Sequence, residues 1–181
     1  MHNPRYALVA YVRGEIGDFV SALRQELHPH LPHLPAHVTF LPPRHLKASE
    51  LSALGTVEEV CSQVEPFQVT LGEAETFVPV TPTVFIRVGQ GAEHIQSLHD
   101  QLNVGALNAV EEWPFMPHLT IAKLNGESVV EQAYITARDR WAEYAGSRRI
   151  AIRELTFVCE HEQNEWKDLA AIRLGRHLVK H

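Results

Sequence analysis

Apolar positions fall along this chain in two rhythms, one with the period of a strand and one with the period of a helix. Tyr6 to Val12 is an unbroken run rich in strand formers, closed by Arg13-Gly14, and predicts a buried strand. Ile16, Phe19, Val20, Leu23 and Leu27 recur at helical spacing and predict an amphipathic helix over 16–27. His28 to Pro35 reads as a loop punctuated by Pro32 and Pro35, and His37 to Leu41 as a short strand stopped by Pro42-Pro43. Ser49 to Val64 predicts a helix with Ser49 as its cap. Phe67 to Val78 and Thr83 to Val88 predict strands, the second closed by Gly89.

The pattern then starts again. A helix over 92–102 places Ile95, Leu98 and Leu102 on one face. After a loop ending in Trp113-Pro114-Phe115-Met116-Pro117 comes a strand from His118 to Leu124, closed by Asn125-Gly126. Ser128 to Tyr144 predicts a helix, with Ser128 and Glu131 at the spacing of a capping box. Strands over 149–159 and 166–174 finish the chain.

The order of elements is therefore duplicated. Strand, helix, Pro-led short strand, helix, strand runs from 6 to 78 and again from 83 to 159, with a closing strand over about 166–175. Val84-Phe85-Ile86-Arg87-Val88-Gly89, Ala170-Ala171-Ile172-Arg173-Leu174-Gly175 and Leu8-Val9-Ala10-Tyr11-Val12-Arg13-Gly14 resemble one another. Two copies are too few for a solenoid. They predict one domain, over 1–181, of two α+β lobes that face each other across a pseudo-twofold axis.

Composition narrows the function. The chain of 181 residues is 45% hydrophobic and 21% charged, as an ordinary globular protein is. Its net charge of −6 argues against a grip on long nucleic acid, which wants a basic surface. It leaves room for an enzyme acting on one nucleotide or one RNA end. Cys61 and Cys159 cannot build a disulfide framework and are expected as reduced thiols in a core. No apolar run is long enough to span a membrane, and no signal-like stretch follows Met1-His2-Asn3-Pro4-Arg5, so a cytoplasmic location is expected.

Twelve histidines are many for this length, and two of them stand out. The two Pro-led strands read Pro35-Ala36-His37-Val38-Thr39-Phe40 and Pro117-His118-Leu119-Thr120-Ile121. Residues i and i+2 of a strand share a face, so His37 lies beside Thr39 and His118 beside Thr120, opposite apolar partners. Composition gives only roughly 0.1 chance copies of His-apolar-Thr-apolar. Two copies at equivalent points of a repeat imply a function. In-line displacement at phosphorus needs a base on one side and an acid on the other. Histidine can be either near neutral pH, and a pseudo-twofold places one on each side. Threonine hydroxyls can donate to the non-bridging oxygens as charge builds. The scheme requires no metal.

These motifs resemble the paired His-x-Thr/Ser-x signatures of the 2H phosphoesterase superfamily, which includes the 2'-5' RNA ligase-like proteins and cyclic phosphodiesterases. The resemblance runs over nearly the whole chain, although its specific content is the two tetrapeptides and their surroundings. It implies antiparallel sheets around a central cleft with helices on the outer faces. It also implies opening of 2',3'-cyclic phosphates, or cleaving and joining of 2'-5' linkages, without metal or other cofactor. His37, Thr39, His118 and Thr120 carry over as catalytic residues. Which histidine is base and which is acid stays open. The first motif continues Leu41-Pro42-Pro43-Arg44-His45 where RNA-acting members carry a glycine-containing apolar turn, which leaves the natural substrate open.

Other candidates are secondary. Arg44 and Lys123 follow the two motifs and could meet phosphate. Phe115 and Trp113 could stack a base. Arg87 and Arg173 occupy matching places, in the cleft or at a strand end. His28, His30, His33 and His37 invite a metal reading, but no carboxylate or cysteine lies close by in sequence. His94, His99, His161, His177 and His181 fit no constellation and are expected at the surface, and Glu160-His161-Glu162 reads as a charged loop. The expected partner is a nucleotide or RNA terminus as substrate, with no long duplex nucleic acid, no membrane and no second copy of the chain. Two rivals remain: a binding module with the same cleft but no turnover, and a structural protein whose histidines bond across the lobe interface.

Overall fold

The computed structural model describes residues 3–28 and 34–175. Strand β1 (Arg5–Tyr11) leads into helix α1 (Gly14–Leu27), strand β2 (His37–Arg44), helix α2 (Glu50–Ser62) and strand β3 (Phe67–Thr76). The second series is β4 (Thr83–Val88), α3 (Ala92–Leu102), a 3-10 turn (Gly105–Leu107), β5 (His118–Lys123), α4 (Glu127–Glu143), β6 (Arg149–Ile152), β7 (Glu154–Glu162) and β8 (Glu165–Arg173). The strands form two four-stranded sheets, ordered β2-β1-β7-β8 and β5-β4-β3-β6, with every pairing antiparallel.

The sheets do not follow the halves of the chain. β3 belongs by sequence to the first repeat but pairs with β4 of the second. β7 belongs to the second and pairs with β1 of the first. Each repeat thus gives a strand to the other sheet. The run predicted as one strand over 149–159 breaks at Arg153 for this reason. Ile152 pairs with Phe67 in one sheet and Glu154 with Arg173 in the other.

Two local expectations change as well. β2 does not stop at Pro42-Pro43 but continues to Arg44, which pairs with Tyr6. It can do so because it is an edge strand, where a missing N–H is tolerated, and its register shifts between Tyr6 and Leu8. Helix α4 starts after Gly126, one turn position earlier than predicted, so Ser128 lies inside the helix and caps nothing. Ser49 does cap α2, accepting a hydrogen bond from the Ser52 backbone at 3.1 Å.

Alternation along β1 sets the two faces of its sheet. Leu8, Ala10 and Val12 join the main core, which runs continuously under both sheets. Ala7, Val9 and Tyr11 point the other way, into a small cluster with Val158 and Trp166. Helix α1 packs close to the end of β1: a Cβ on Gly17 would come within 2.1 Å of the Val12 carbonyl oxygen. Cys61 and Cys159 are both free and buried. No described helix is long and apolar enough to cross a membrane.

Arg44 ties the repeats together from below. Its guanidinium is buried and donates to the carbonyls of Pro42 and Leu107, to Asn103 Oδ1 and to Glu111 Oε2, the last two at 2.6 Å. Glu111 also accepts from His99, whose ring stacks on Phe115 at 3.9 Å. This network fixes the loop that leads into β5. His99 is therefore buried, contrary to the sequence expectation. Glu160 too is buried and paired with Arg5 at 2.6 Å, inside β7 and not in a loop.

Removing one partner of a buried, hydrogen-bonded pair strands the other charge and costs about 3–5 kcal/mol. Arg44→Met is expected to lower unfolding stability by that amount, measured by urea denaturation. A change near zero would mean that the network is dispensable.

Candidate active site

The two histidine strands are the outer edges of the two sheets, and they pack against each other. Along β2, Val38 and Phe40 are buried while His37 and Thr39 are partly exposed. Along β5, Leu119 and Ile121 are buried while His118 and Thr120 are partly exposed. The alternation anchors each strand by its apolar face and leaves the His-Thr pair free on the other.

The two imidazoles are held in the same way. His37 Nδ1 lies 2.7 Å from the carbonyl oxygen of Pro35, and His118 Nδ1 lies 2.7 Å from that of Met116. A carbonyl can only accept, so Nδ1 carries the hydrogen in both rings. The lone pair of each neutral ring is then on Nε2, the atom left for chemistry. His118 is also held by the edges of Phe77 and Phe85, with centroids at 5.0 and 5.4 Å.

The surroundings disfavour positive charge on either ring. Burial pushes His37 down to about 4, and the nearby charges of Arg24, Lys123 and His118 add to it, against the opposing pull of the Pro35 carbonyl. His118 is lowered by burial, with Lys123 and Arg87 contributing. Lys123, at the exposed end of β5, is itself lowered, by partial desolvation of its ammonium and by the charges of Arg5 and Arg24. Arg24 lies on the buried face of α1 and has no ion-pair partner among the described residues, and neither does Lys123. A group of cations without a carboxylate is unfavourable when empty and suits an anion.

Arg24 is the residue that sequence reading missed. It sits one position after Leu23 on the apolar stripe of α1, and a cation on that stripe was the available signal. Lys123 lies close enough to both histidines for its charge to act on them. Arg44 is not free for phosphate: all three of its guanidinium nitrogens are spent on the buried network, so it is a structural clamp. Phe115 packs on His99 and the core, with one ring face already covered. Trp113 is half-exposed, with no aromatic or hydrogen-bond partner among the described residues.

Arg87 lies opposite His118 in the ladder, so it belongs to the site's surroundings. Its guanidinium is held by Glu75 at 2.5 and 3.0 Å and reaches Met116 Sδ at 2.8 Å. Tyr11 takes the equivalent place opposite His37, and its hydroxyl donates to Asp168 at 2.5 Å. Arg173 is on β8, three strands away from His37. His30 and His33 of the histidine-rich loop lie outside the described residues.

His37 is expected to stay in the neutral Nδ1–H form as pH falls below the ordinary histidine range, taking up a proton only towards about 4. Inorganic phosphate should raise that value, because an anion favours the imidazolium. Imidazole ¹⁵N shifts against pH, with and without phosphate, check both statements.

Comparison with known proteins gives a family and a shared fold. A family model described as the 2'-5' RNA ligase superfamily matches residues 12–163. A protein of Oceanobacillus iheyensis named "Putative phosphoesterase" is 30% identical over 122 residues, covering 66% of this chain and 70% of its own. One of the same name from Bacillus thuringiensis is 25% identical over 173 residues, covering 95% and 98%. Among solved structures, E. coli LigT in its apo form superposes with a TM-score of 0.62 over 96% of this chain and 99% of its own, at 16% identity. The same protein complexed with 3'-AMP gives 0.60 over the same shares, also at 16% identity. The match over most of the chain, on a fold that LigT shares, makes this protein a member of the 2'-5' RNA ligase superfamily of 2H phosphoesterases.

Proposed function

We propose that the protein is a metal-independent phosphodiesterase that opens 2',3'-cyclic phosphates, or cleaves and joins 2'-5' linkages, on nucleotides or RNA ends. The observation that carries this reading is the matched pair of histidines. Each exposes Nε2 and is oriented by a carbonyl two residues upstream, in a pocket where Arg24 and Lys123 lack carboxylate partners. That LigT has been solved with 3'-AMP, a ribose 3'-phosphate, supports a nucleotide in the equivalent place.

The steps follow from the geometry. The cyclic phosphate carries a negative charge, which enters among Arg24, Lys123 and the histidines and raises the affinity of one imidazole for a proton. The neutral histidine accepts a proton from water at Nε2 as the water oxygen attacks phosphorus. The bond from phosphorus to one ribose oxygen breaks in line, and the imidazolium of the other histidine gives its Nε2 proton to that oxygen. Thr39 and Thr120 donate to the non-bridging oxygens as charge accumulates there, and the two cations offset it. Joining uses the same steps with the 5'-hydroxyl of a second RNA end in place of water: it loses its proton to the neutral histidine as it attacks phosphorus, the other histidine protonates the departing 3'-oxygen, and a 2'-5' linkage is left; cleavage of that linkage is the reverse, with the two histidines exchanging roles. Trp113, half-exposed on the loop before β5, is available to stack a base. A cytoplasmic monomer is the setting in which we place this activity.

Hydrolysis of 2',3'-cyclic nucleotides in the presence of EDTA tests the proposal. Wild-type turnover is expected to survive the chelator, and His37→Ala and His118→Ala are each expected to lose about 10²–10⁴-fold in kcat/KM. Arg24→Met is expected to lower kcat/KM while leaving the fold intact by circular dichroism. Tight binding of cyclic nucleotides with no turnover would replace the enzyme by a binding module.

A further inference from the structure

We propose that a second phosphate subsite lies next to the histidine site, in a cavity lined by arginines, and that it holds a further phosphate group of the same substrate. This inference rests on reading the paired histidines as the place where a phosphodiester reacts. The cavity has a volume of about 760 Å³ and draws its walls from both sheets. Arg13, Arg149, Arg153 and Arg173 line it, together with Tyr11 and, among the described residues, a single carboxylate, Glu154.

The pairing of the arginines singles this cavity out. Arg5, Arg44, Arg87, Arg138 and Arg140 each hold a carboxylate. The four arginines of the cavity hold none among the described residues, although acidic side chains outnumber basic ones in the chain, 22 to 16. Arg13 lies 5.5 Å from the centre of the Tyr11 ring, and the Tyr11 hydroxyl is fixed by Asp168. Guanidinium groups present paired donors that match phosphate oxygens. The volume is in the usual range for ligand sites, about 300–1,000 Å³.

Position links the cavity to the histidines. Tyr11 pairs with His37, and Glu154 pairs with Arg173. Val9 pairs with Thr156, so Tyr11 and Glu154 are neighbours along the same ladder. His37, Tyr11, Glu154 and Arg173 therefore form one row across the sheet. Three strand spacings of about 4.8 Å put the far end of that row about 14 Å from His37. One nucleoside cyclic phosphate bound at His37 would leave these arginines unused. A substrate with another phosphate, either the 5'-phosphate of the same nucleotide or the linkage to a preceding nucleotide, would reach them. The subsite is built for a short RNA end or a nucleotide bearing several phosphates, and its handful of cations suits an acidic protein that does not grip long nucleic acid.

The test uses three substrates that share one reactive end: a 2',3'-cyclic nucleotide, the same compound with a 5'-phosphate, and a trinucleotide ending in 2',3'-cyclic phosphate. Wild type is expected to gain about 10-fold or more in kcat/KM with the additional phosphate. Arg149→Gln combined with Arg173→Gln should abolish that gain and leave turnover of the simple cyclic nucleotide unchanged. Whether the 5'-phosphate or only the trinucleotide gives the gain identifies which phosphate is held. Binding of the labelled trinucleotide is followed in parallel as salt rises, where the double variant should flatten the log–log slope by about 1–2. Equal preference and equal slope in wild type and variant would overturn the subsite. Turnover without arginine dependence would leave the histidine reading standing and remove this one. Arginine-dependent binding without turnover would do the reverse.

Discussion

The site exists because two sheet edges meet. β2 and β5 are the outermost strands of their sheets, a position that in most proteins is shielded against unwanted pairing. Here the edges pack against each other and bring His37 and Thr39 up to His118 and Thr120. The exchange of β3 and β7 between the repeats makes this arrangement hard to undo. Neither sheet can be completed by its own half of the chain, so the two lobes form together or not at all. The proposed acid–base pair, divided between lobes, would need that kind of coupling, since a small relative shift would spoil an in-line geometry.

Electrostatics then prepares the pair for an anion. Holding His37 at about 4, against its ordinary 6.5, disfavours its imidazolium by about 3 kcal/mol. A phosphate charge about 4 Å away is worth about 4 kcal/mol at an effective dielectric constant near 20. The two are comparable. The surroundings therefore favour neutral rings, and on the proposed mechanism a bound phosphate would supply what one of them needs to become the acid. Arg24 and Lys123 depress His37, and on the proposed mechanism the same two cations would offset the phosphate.

Much of this was legible in the sequence, and the parts that were not share a cause. Alternation placed Val38, Phe40, Leu119 and Ile121 inside, and so placed the His-Thr pairs on the opposite face, because strand periodicity is local. The duplicated order of elements was equally visible. Sheet membership was not, because β3 and β7 look alike whichever sheet they join and the break at Arg153 carries no turn signal. Its place after the first motif makes Arg44 a candidate for phosphate, but its partners Asn103, Leu107 and Glu111 come from the other repeat. His99 was misread for the same reason, through Glu111 and Phe115. Arg24 was hidden by its neighbours on an apolar helix face, where only the packing of α1 against β5 reveals what it approaches.

The central claim is that two histidines with lowered proton affinity act as acid and base on one phosphate. The pH dependence of kcat/KM for a 2',3'-cyclic nucleotide tests it most directly, since that parameter reports the free enzyme. The reactive form has one ring protonated and one neutral, and both rings titrate below the ordinary histidine value. The account predicts a bell with its maximum on the acid side of 6.5, which loses its shape when either histidine is replaced. A profile flat through the histidine range, or a bell that persists in both variants, would contradict it.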